Sequence, residues 1–136
     1  MRGSGKIMVV DDERGIRYLL EDALAGEGYD VTLAKNGRDC LRQMEEQEFD
    51  LLITDMDMPE LDGMGLLRMM KRAGRAEMVI MMSGHDLNEA RFHAPDLPPV
   101  LCRLQKPFKM EGLLNVIVRA MENQYGDLPA RNRMSG

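Results

Sequence analysis

Short apolar runs alternate along this chain with longer segments in which apolar residues recur every three or four positions. The short runs predict β-strands, and the recurring spacing predicts helices that pack on one face. The helix after the first run, for example, places Ile16, Leu19, Leu20 and Leu24 on one stripe. The strands are predicted at residues 6–10, 31–34, 51–54, 78–82 and 100–104. The third run is apolar or β-branched throughout, which is typical of a central parallel strand covered on both faces.

The alternation predicts a doubly wound α/β domain of three layers around a five-stranded parallel sheet, because parallel neighbours need crossover helices. The segment between the fourth and fifth strands departs from this pattern. Only residues 87–93 have a helical pattern before Pro95, Pro98 and Pro99, and a proline in a helix interior costs about 3 kcal/mol. We therefore expect a short or irregular fourth helix, followed by a loop that its prolines restrain.

The composition is that of one ordinary globular domain. The 136 residues are 44% hydrophobic and 30% charged, with a formal net charge of −5, and an acidic surface argues against direct binding to nucleic acid. Two cysteines without metal-type spacing favour a reduced, cytoplasmic protein. No apolar run approaches the roughly 18 residues of a membrane span. We expect a flexible leader or tag at 1–5, a folded domain at 6–123 and a polar tail at 124–136.

Charged and hydroxyl side chains stand where the predicted strands end. Asp11 and Asp12 follow the first strand, Asp55 the third, Ser83 the fourth and Lys106 the fifth. The carboxyl ends of parallel strands share one edge of the sheet, and doubly wound folds bind their ligands there. Three carboxylates at that edge can hold a divalent cation, and an ammonium group can pair with a phosphoryl group.

Each motif also has an ordinary structural explanation. An acid pair after a strand is often only a signal for a helix N-terminus, Ser83 followed by Gly84 forms a turn, and a single lysine is usually solvated. A calcium loop beginning at Asp55 is excluded, because its required glycine would be Glu60 and its bidentate acid would be Leu66. The placement of all these groups at one sheet edge favours a functional site over separate structural roles.

Residues 6–123 resemble the receiver domain of bacterial response regulators. The resemblance rests on motifs in the order and spacing of that family, namely Asp11-Asp12, Asp55 with Met58-Pro59 and Asp62-Gly63, Ser83-Gly84, and Lys106-Pro107-Phe108. It implies a flavodoxin-like fold with the strand order 2-1-3-4-5 and a role in two-component phosphorelay signalling.

The resemblance implies that Asp55 is the phosphoacceptor. It would take a phosphoryl group from a phosphohistidine of a sensor histidine kinase or a phosphotransfer protein. The implied cofactor is Mg²⁺, which prefers oxygen ligands and keeps several waters. Asp12 and Asp55 would bind the ion directly, Asp11 through water, and Asp57 through its backbone carbonyl.

Lys106 and Ser83 complete the implied catalytic set, with the ammonium and hydroxyl groups each contacting a phosphoryl oxygen. Gly84 and His85 border the site. In the family, the side chains at the positions of Asp57 and His85 line the path of the attacking water. We therefore expect this pair to tune a slow autodephosphorylation, in a signalling domain that is not a turnover enzyme.

Arg103 is a departure from the family, in which a Phe or Tyr usually stands three residues before the lysine. Because an arginine is costly to bury without an anionic partner, we expect Arg103 to remain exposed and to pair with acidic groups nearby or on a partner. The resemblance implies a switched surface opposite strands 4 and 5. Its expected partners are a downstream protein, an output domain, or a second copy in a phosphorylation-dependent homodimer.

Two alternatives stay open at the level of sequence. A haloacid-dehalogenase-like phosphatase would use Asp55 and Asp57, although the chain is short, lacks a cap insertion and continues after Asp57 with Met-Pro. A receiver-like interaction module that works without phosphorylation is the other alternative, although the acidic, hydroxyl and lysine set is intact. The sequence leaves open whether the chain is a free-standing receiver or a fragment of a longer regulator.

Overall fold

Five parallel strands form the centre of the molecule, for which a computed structural model describes residues 5–126. The strands pair in the order β2-β1-β3-β4-β5. Their bounds are β1 Lys6–Val10, β2 Asp30–Ala34, β3 Leu51–Asp55, β4 Met78–Ser83 and β5 Val100–Gln105. The doubly wound sheet with the order 2-1-3-4-5 is therefore confirmed. All five residues of β3 are buried, as its uninterrupted apolar pattern predicts for a central strand.

Four α-helices cover the sheet, at α1 Arg14–Gly26, α2 Gly37–Met44, α3 Gly63–Arg72 and α4 Met110–Gly126. Two of them begin at residues whose side chains cap the free amides of the first turn. The Asn36 side chain accepts a hydrogen bond from the Asp39 amide at 2.7 Å, and Asp62 accepts one from the Gly65 amide at 2.8 Å. These caps fix where the chain leaves each sheet edge and turns back.

Alternate strand residues pack into two cores, one on each face of the sheet. Met8 and Leu52 point into the core covered by α2 and α3, while Val9 and Ile53 point into the core covered by α1 and α4. The buried face of α1 is narrower than its apolar pattern predicts, since Leu19 is 55% exposed. The three-layer arrangement leaves the carboxyl ends of the strands uncovered by helices, and the polar groups are located there.

The segment between β4 and β5 contains a single turn of 3-10 helix, Ala90–His93, in place of the helix predicted over 87–93. Leu87 and Phe92 are buried beneath this segment, so packing of two side chains holds it although it forms no α-helix. The expectation of a short or irregular fourth helix is confirmed, and the helical part is shorter than the sequence pattern suggests.

The two predicted boundaries differ from the structure by a few residues. Gly5 is buried against Met121, and its carbonyl accepts a hydrogen bond from the Asp30 amide at 3.0 Å, so this residue of the predicted leader packs with the domain. Helix α4 continues to Gly126, beyond the predicted end at residue 123. The remainder of the predicted leader, 1–4, and of the predicted tail, 127–136, lies outside the described residues.

Candidate functional site

The strand register brings the predicted site residues to one edge of the sheet. Asp55 is the last residue of β3 and Ser83 the last of β4, while Asp11 directly follows β1 and Lys106 directly follows β5. Asp55 pairs in register with Met82, and Ser83 with Gln105. Adjacent strands therefore end at the same level, and their terminal side chains face a common space.

Three carboxylates form the centre of this site. Asp11, Asp12 and Asp55 each offer an oxygen, and these atoms all lie within 4.8 Å of one another. Asp11 and Asp55 are buried, with 0% and 3% exposure, whereas Asp12 is exposed. Backbone amides hold the two buried groups, since the Glu13 amide donates to Asp11 at 2.9 Å and the Asp57 amide donates to Asp55 at 3.2 Å.

Lys106 supplies the positive charge of the site. Its Nζ lies 2.9 Å from Oδ2 of Asp11 and 3.5 Å from Oδ1 of Asp55. Its backbone amide donates to the Ser83 carbonyl at 2.7 Å, so the start of the β5–α4 connection is tied to the end of β4. The ammonium group bridges the two buried carboxylates, and it is close enough to neutralise a further anion beside Asp55.

The electrostatic balance of the carboxylates is unfavourable without a cation. Burial raises the pKa of Asp55 to about 6, with a further contribution from the charge of Asp11. Burial also raises the pKa of Asp11. Burial alone would lower the pKa of Lys106, but the hydrogen bond to Asp11 and the charges of Asp11 and Asp55 raise it above its ordinary value. The single ammonium group of Lys106 thus has to compensate the charges of two buried carboxylates.

This donor set fits a hard divalent cation. Carboxylate oxygens are the ligands that Mg²⁺ prefers, and one or two of them usually suffice because the ion retains water. The exposure of Asp12 leaves one side of the cluster open to solvent, as a hydrated ion requires. A cation at this point would offset the repulsion between the clustered acids.

A second polar group, made by Asp57, Ser83 and His85, adjoins the carboxylate cluster. The Ser83 hydroxyl donates to Oδ2 of Asp57 at 2.7 Å, and the Gly84 amide donates to the same oxygen at 3.2 Å. The His85 amide donates to the Ser83 oxygen at 2.9 Å, and Nε2 of His85 lies 3.6 Å from Oδ1 of Asp57. Gly84 and His85 therefore lie beside the Ser83 hydroxyl, and the Asp57 carboxylate contacts this group as well.

The prediction that Arg103 stays exposed is wrong. Arg103 is partly buried, its Nη2 donates to the Phe92 carbonyl at 3.2 Å, and its Nε is buried without a hydrogen-bond partner. The absence of an α-helix in this segment explains the difference, because the carbonyl of Phe92 in the 3-10 turn is free to accept from a side chain. The guanidinium holds the irregular segment against β5 through a neutral acceptor.

Two contacts around Asp11 have no counterpart in the sequence-based prediction. Oε1 of Glu13 lies 3.7 Å from Nζ of Lys106, and Nη1 of Arg17 donates to the Asp11 carbonyl at 2.8 Å. Glu13 precedes α1 and Arg17 lies within it, and in the sequence both have the pattern of ordinary solvated charges. The Glu13 contact depends on where the β5–α4 connection places Lys106, whereas the Arg17 contact is a local one to the backbone before α1.

Gly63 packs closely against the backbone of the loop that follows Asp55. A Cβ at position 63 would lie 2.6 Å from the Met56 Cα and 2.8 Å from the Asp55 carbonyl oxygen. Because these distances to backbone atoms are too short for a side chain, only glycine fits at position 63. The start of α3 can therefore approach the loop that follows Asp55.

The comparisons with known proteins agree with this geometry. Residues 7–118 match the model of the response regulator receiver domain. The chain is 33% identical to the DNA-binding transcriptional regulator NtrC of Escherichia coli K12 over 128 residues, which is 94% of this chain and 27% of that protein. It is 34% identical to the transcriptional regulatory protein ZraR of the same strain over 119 residues, 88% of this chain and 27% of that protein. The chain thus spans about a quarter of the length of these relatives.

Solved structures give the same result. A response regulator receiver domain from Clostridium thermocellum superposes with a TM-score of 0.76 at 32% identity, covering 88% of this chain and 96% of that one. The response regulator TrrA of Thermotoga maritima, solved in complex with Mg²⁺ and BeF, gives 0.74 at 25% identity, covering 85% and 98%. Within residues 5–126, no helix is both long and apolar enough to cross a membrane. The chain belongs to the response regulator receiver domain family, the signalling domain of two-component systems.

Proposed function

We propose that Asp55 is the phosphoacceptor of this receiver domain. The observation that carries the proposal is the position of its carboxylate, buried at the end of β3 and 3.5 Å from the Lys106 ammonium. In the proposed step, an Asp55 oxygen attacks the phosphorus of a phosphohistidine on a sensor histidine kinase or phosphotransfer protein. The P–O bond forms as the P–N bond breaks, the neutral imidazole leaves with a proton from solvent, and Asp55 becomes an acyl phosphate.

The other residues of the cluster serve this step by charge and position. Lys106 already contacts both buried acids, and it can turn toward a phosphoryl oxygen without leaving the site. Asp12 and Asp55 would hold Mg²⁺ directly, Asp11 through water and Asp57 through its carbonyl. Bound there, the ion would neutralise charge on the phosphoryl oxygens. Phosphoryl transfer depends mainly on such positioning and neutralisation.

Asp57 and His85 are proposed to control the lifetime of the acyl phosphate. Both side chains are exposed at the mouth of the site, at 36% and 62%, where water approaches Asp55. They can orient an attacking water or exclude it. We expect the Asp57→Ala/His85→Ala double variant to change the phosphoryl half-life, as measured by loss of label from purified phosphoprotein. An unchanged half-life would contradict the assignment.

The output is proposed to use the face around β5 and the segment 84–99. This face carries a 3-10 turn and the Arg103–Phe92 contact in place of a regular helix, so its surface differs from that expected of a receiver with a full helix there. Its partner is a downstream protein, an output domain of a longer regulator or a second phosphorylated copy. Direct contact with nucleic acid is not part of the proposal, and the site of action is the cytoplasm.

Uptake of phosphate from a small donor tests the function. With Mg²⁺ and acetyl phosphate, the parent chain should take up one phosphoryl group per molecule, whereas Asp55→Asn should take up none. Asp22→Asn, which removes an exposed acid on α1, is the matched control and should label like the parent. Continuous release of many phosphates per chain would instead favour the phosphatase alternative, and a parent chain that takes up no label would favour the phosphorylation-independent module.

A further inference from the structure

The hydroxyl of Ser83 has a partner in the unphosphorylated protein that competes with the expected phosphoryl contact. Ser83 is fully buried, and its hydroxyl donates to Oδ2 of Asp57 at 2.7 Å. A serine hydroxyl has one proton to donate. The His85 amide occupies the oxygen as an acceptor at 2.9 Å, so the hydroxyl proton is committed to the Asp57 carboxylate.

The same carboxylate also holds the backbone of the loop after β4. Oδ2 of Asp57 accepts from the Gly84 amide at 3.2 Å, and the Ser83 oxygen in turn accepts from the His85 amide. The Asp57 backbone is itself tied to the acceptor site, because its amide donates to Oδ1 of Asp55 at 3.2 Å. One carboxylate therefore links the residue proposed to be phosphorylated with the loop that would respond to phosphorylation.

We propose that Asp57 is a positioning residue that holds Ser83 and the 83–85 loop in the unphosphorylated arrangement. This proposal rests on the proposed function of Asp55. A phosphoryl group on Asp55 needs the Ser83 proton, so the hydroxyl must first leave Asp57. The added negative charge beside Asp57 repels its carboxylate and favours that release. The Asp57–Ser83 hydrogen bond thus opposes the loop movement until Asp55 is phosphorylated. This role is in addition to any effect of Asp57 on hydrolysis of the acyl phosphate.

A double-mutant cycle separates this role from a general effect of charge. The probe is beryllofluoride at saturating Mg²⁺, and its dissociation constant is measured by amide NMR titration. Because a hydrogen bond to a charged group is stronger than one to a neutral group, its loss in Asp57→Ala should tighten beryllofluoride binding about tenfold or more. In the Ser83→Ala background, which has no hydroxyl to release, the same change should alter binding by less than about twofold.

Asp57→Asn is the matched variant, because it keeps an acceptor oxygen and removes the charge. Its dissociation constant for beryllofluoride should lie between those of the parent and Asp57→Ala, since a neutral acceptor forms a weaker hydrogen bond than a carboxylate does. An equal effect of Asp57→Ala in both Ser83 backgrounds would overturn the proposal and assign the effect to charge alone. No effect in either background would overturn it as well.

A second measurement does not require phosphoryl chemistry. The His85 amide bonds to Ser83 and not to Asp57, so its hydrogen exchange reports whether Ser83 has been released. In Asp57→Ala without beryllofluoride, exchange of this amide should accelerate about tenfold, while amides in β1 remain unchanged. Unchanged exchange at His85 would overturn the proposal. A parent chain that binds no beryllofluoride, with accelerated exchange in the variant, would count against the proposed function alone.

Discussion

Asp55→Asn should stabilise the metal-free protein, although it removes the residue on which the proposed function depends. The carboxylate is almost completely buried, with its side chain 4% exposed, and it shares one ammonium group with Asp11. Ionising it in that place costs free energy, and an isosteric amide avoids the cost. The Asn oxygen can still accept the hydrogen bond from the Asp57 amide, so the change removes charge and keeps the local geometry.

The magnitude follows from the pKa of Asp55, which burial raises from 3.8 to about 6. Each pKa unit corresponds to about 1.4 kcal/mol, so the difference amounts to at most about 3 kcal/mol. Well below pH 3.8, the Asp55 carboxyl is protonated in both the folded and the unfolded chain, and its raised pKa has no effect on stability. As the pH rises toward 6, the Asp55 carboxyl ionises in the unfolded chain before it ionises in the folded one. The folded parent therefore loses stability relative to Asp55→Asn. The full difference is present near pH 7.5.

Urea unfolding in the presence of a chelator provides the assay. For a slope near 2 kcal/mol per molar urea, Asp55→Asn should raise the unfolding midpoint by up to about 1.5 M at pH 7.5 and by little at pH 4. Asp22→Asn, an exposed substitution of the same type, should leave the midpoint within about 0.3 M at both pH values, because surface substitutions change stability by about 0.5 kcal/mol or less. An unchanged or lower midpoint for Asp55→Asn at pH 7.5 would refute the reasoning.

Added Mg²⁺ should reduce the difference between the two proteins. A ligand that binds only the folded state stabilises it more strongly the tighter it binds, and Asp55→Asn lacks one proposed ligand of the ion. The parent midpoint should therefore rise with Mg²⁺ more than the variant midpoint. A parallel rise in both proteins would indicate that Asp55 does not contribute to the metal site.

Three further predictions concern other parts of the molecule. Asp12→Ala should weaken Mg²⁺ binding at least about tenfold in calorimetry, whereas Ser83→Ala should preserve it, and equal affinities in all proteins would contradict the ligand set. Arg75→Met should destabilise the fold by about 3 kcal/mol or more, because it leaves the buried carboxylate of Glu77 without its ion-pair partner, and a small urea midpoint shift would exclude this role. Burial raises the pKa of Cys40 to about 12, so its alkylation at pH 8, followed by mass spectrometry, should occur only along the unfolding transition, and fast labelling of the folded chain would contradict its burial.

The sequence predicts the sheet and the carboxylate cluster because both follow from strand-end positions. Once the apolar runs are identified as parallel strands, Asp11, Asp55 and Lys106 must meet at one edge, whatever their rotamers. The Asp57 carboxylate is less predictable. The resemblance places the Asp57 backbone beside the metal, but the direction of its side chain toward Ser83 depends on the path of two separate loops.

Two of the differences, the length of the fourth helix and the burial of Arg103, arise in the segment between β4 and β5. The prolines indicate that no regular helix forms there, but they do not specify which carbonyls remain without helical partners. The Phe92 carbonyl is one of them, and Arg103 is drawn inward to donate to it. Leu19 is a simpler case, since periodicity identifies one stripe on a helix but not how much of its width the sheet covers.

The position of the phosphoryl group is the most direct test of the account. The parent chain would be phosphorylated with acetyl phosphate and Mg²⁺, reduced with borohydride to convert the acyl phosphate into homoserine, and mapped by peptide mass spectrometry. The account predicts conversion at Asp55 alone, with Asp11, Asp12 and Asp57 recovered unmodified. Conversion at any of those three residues, or conversion that persists in Asp55→Asn, would contradict it.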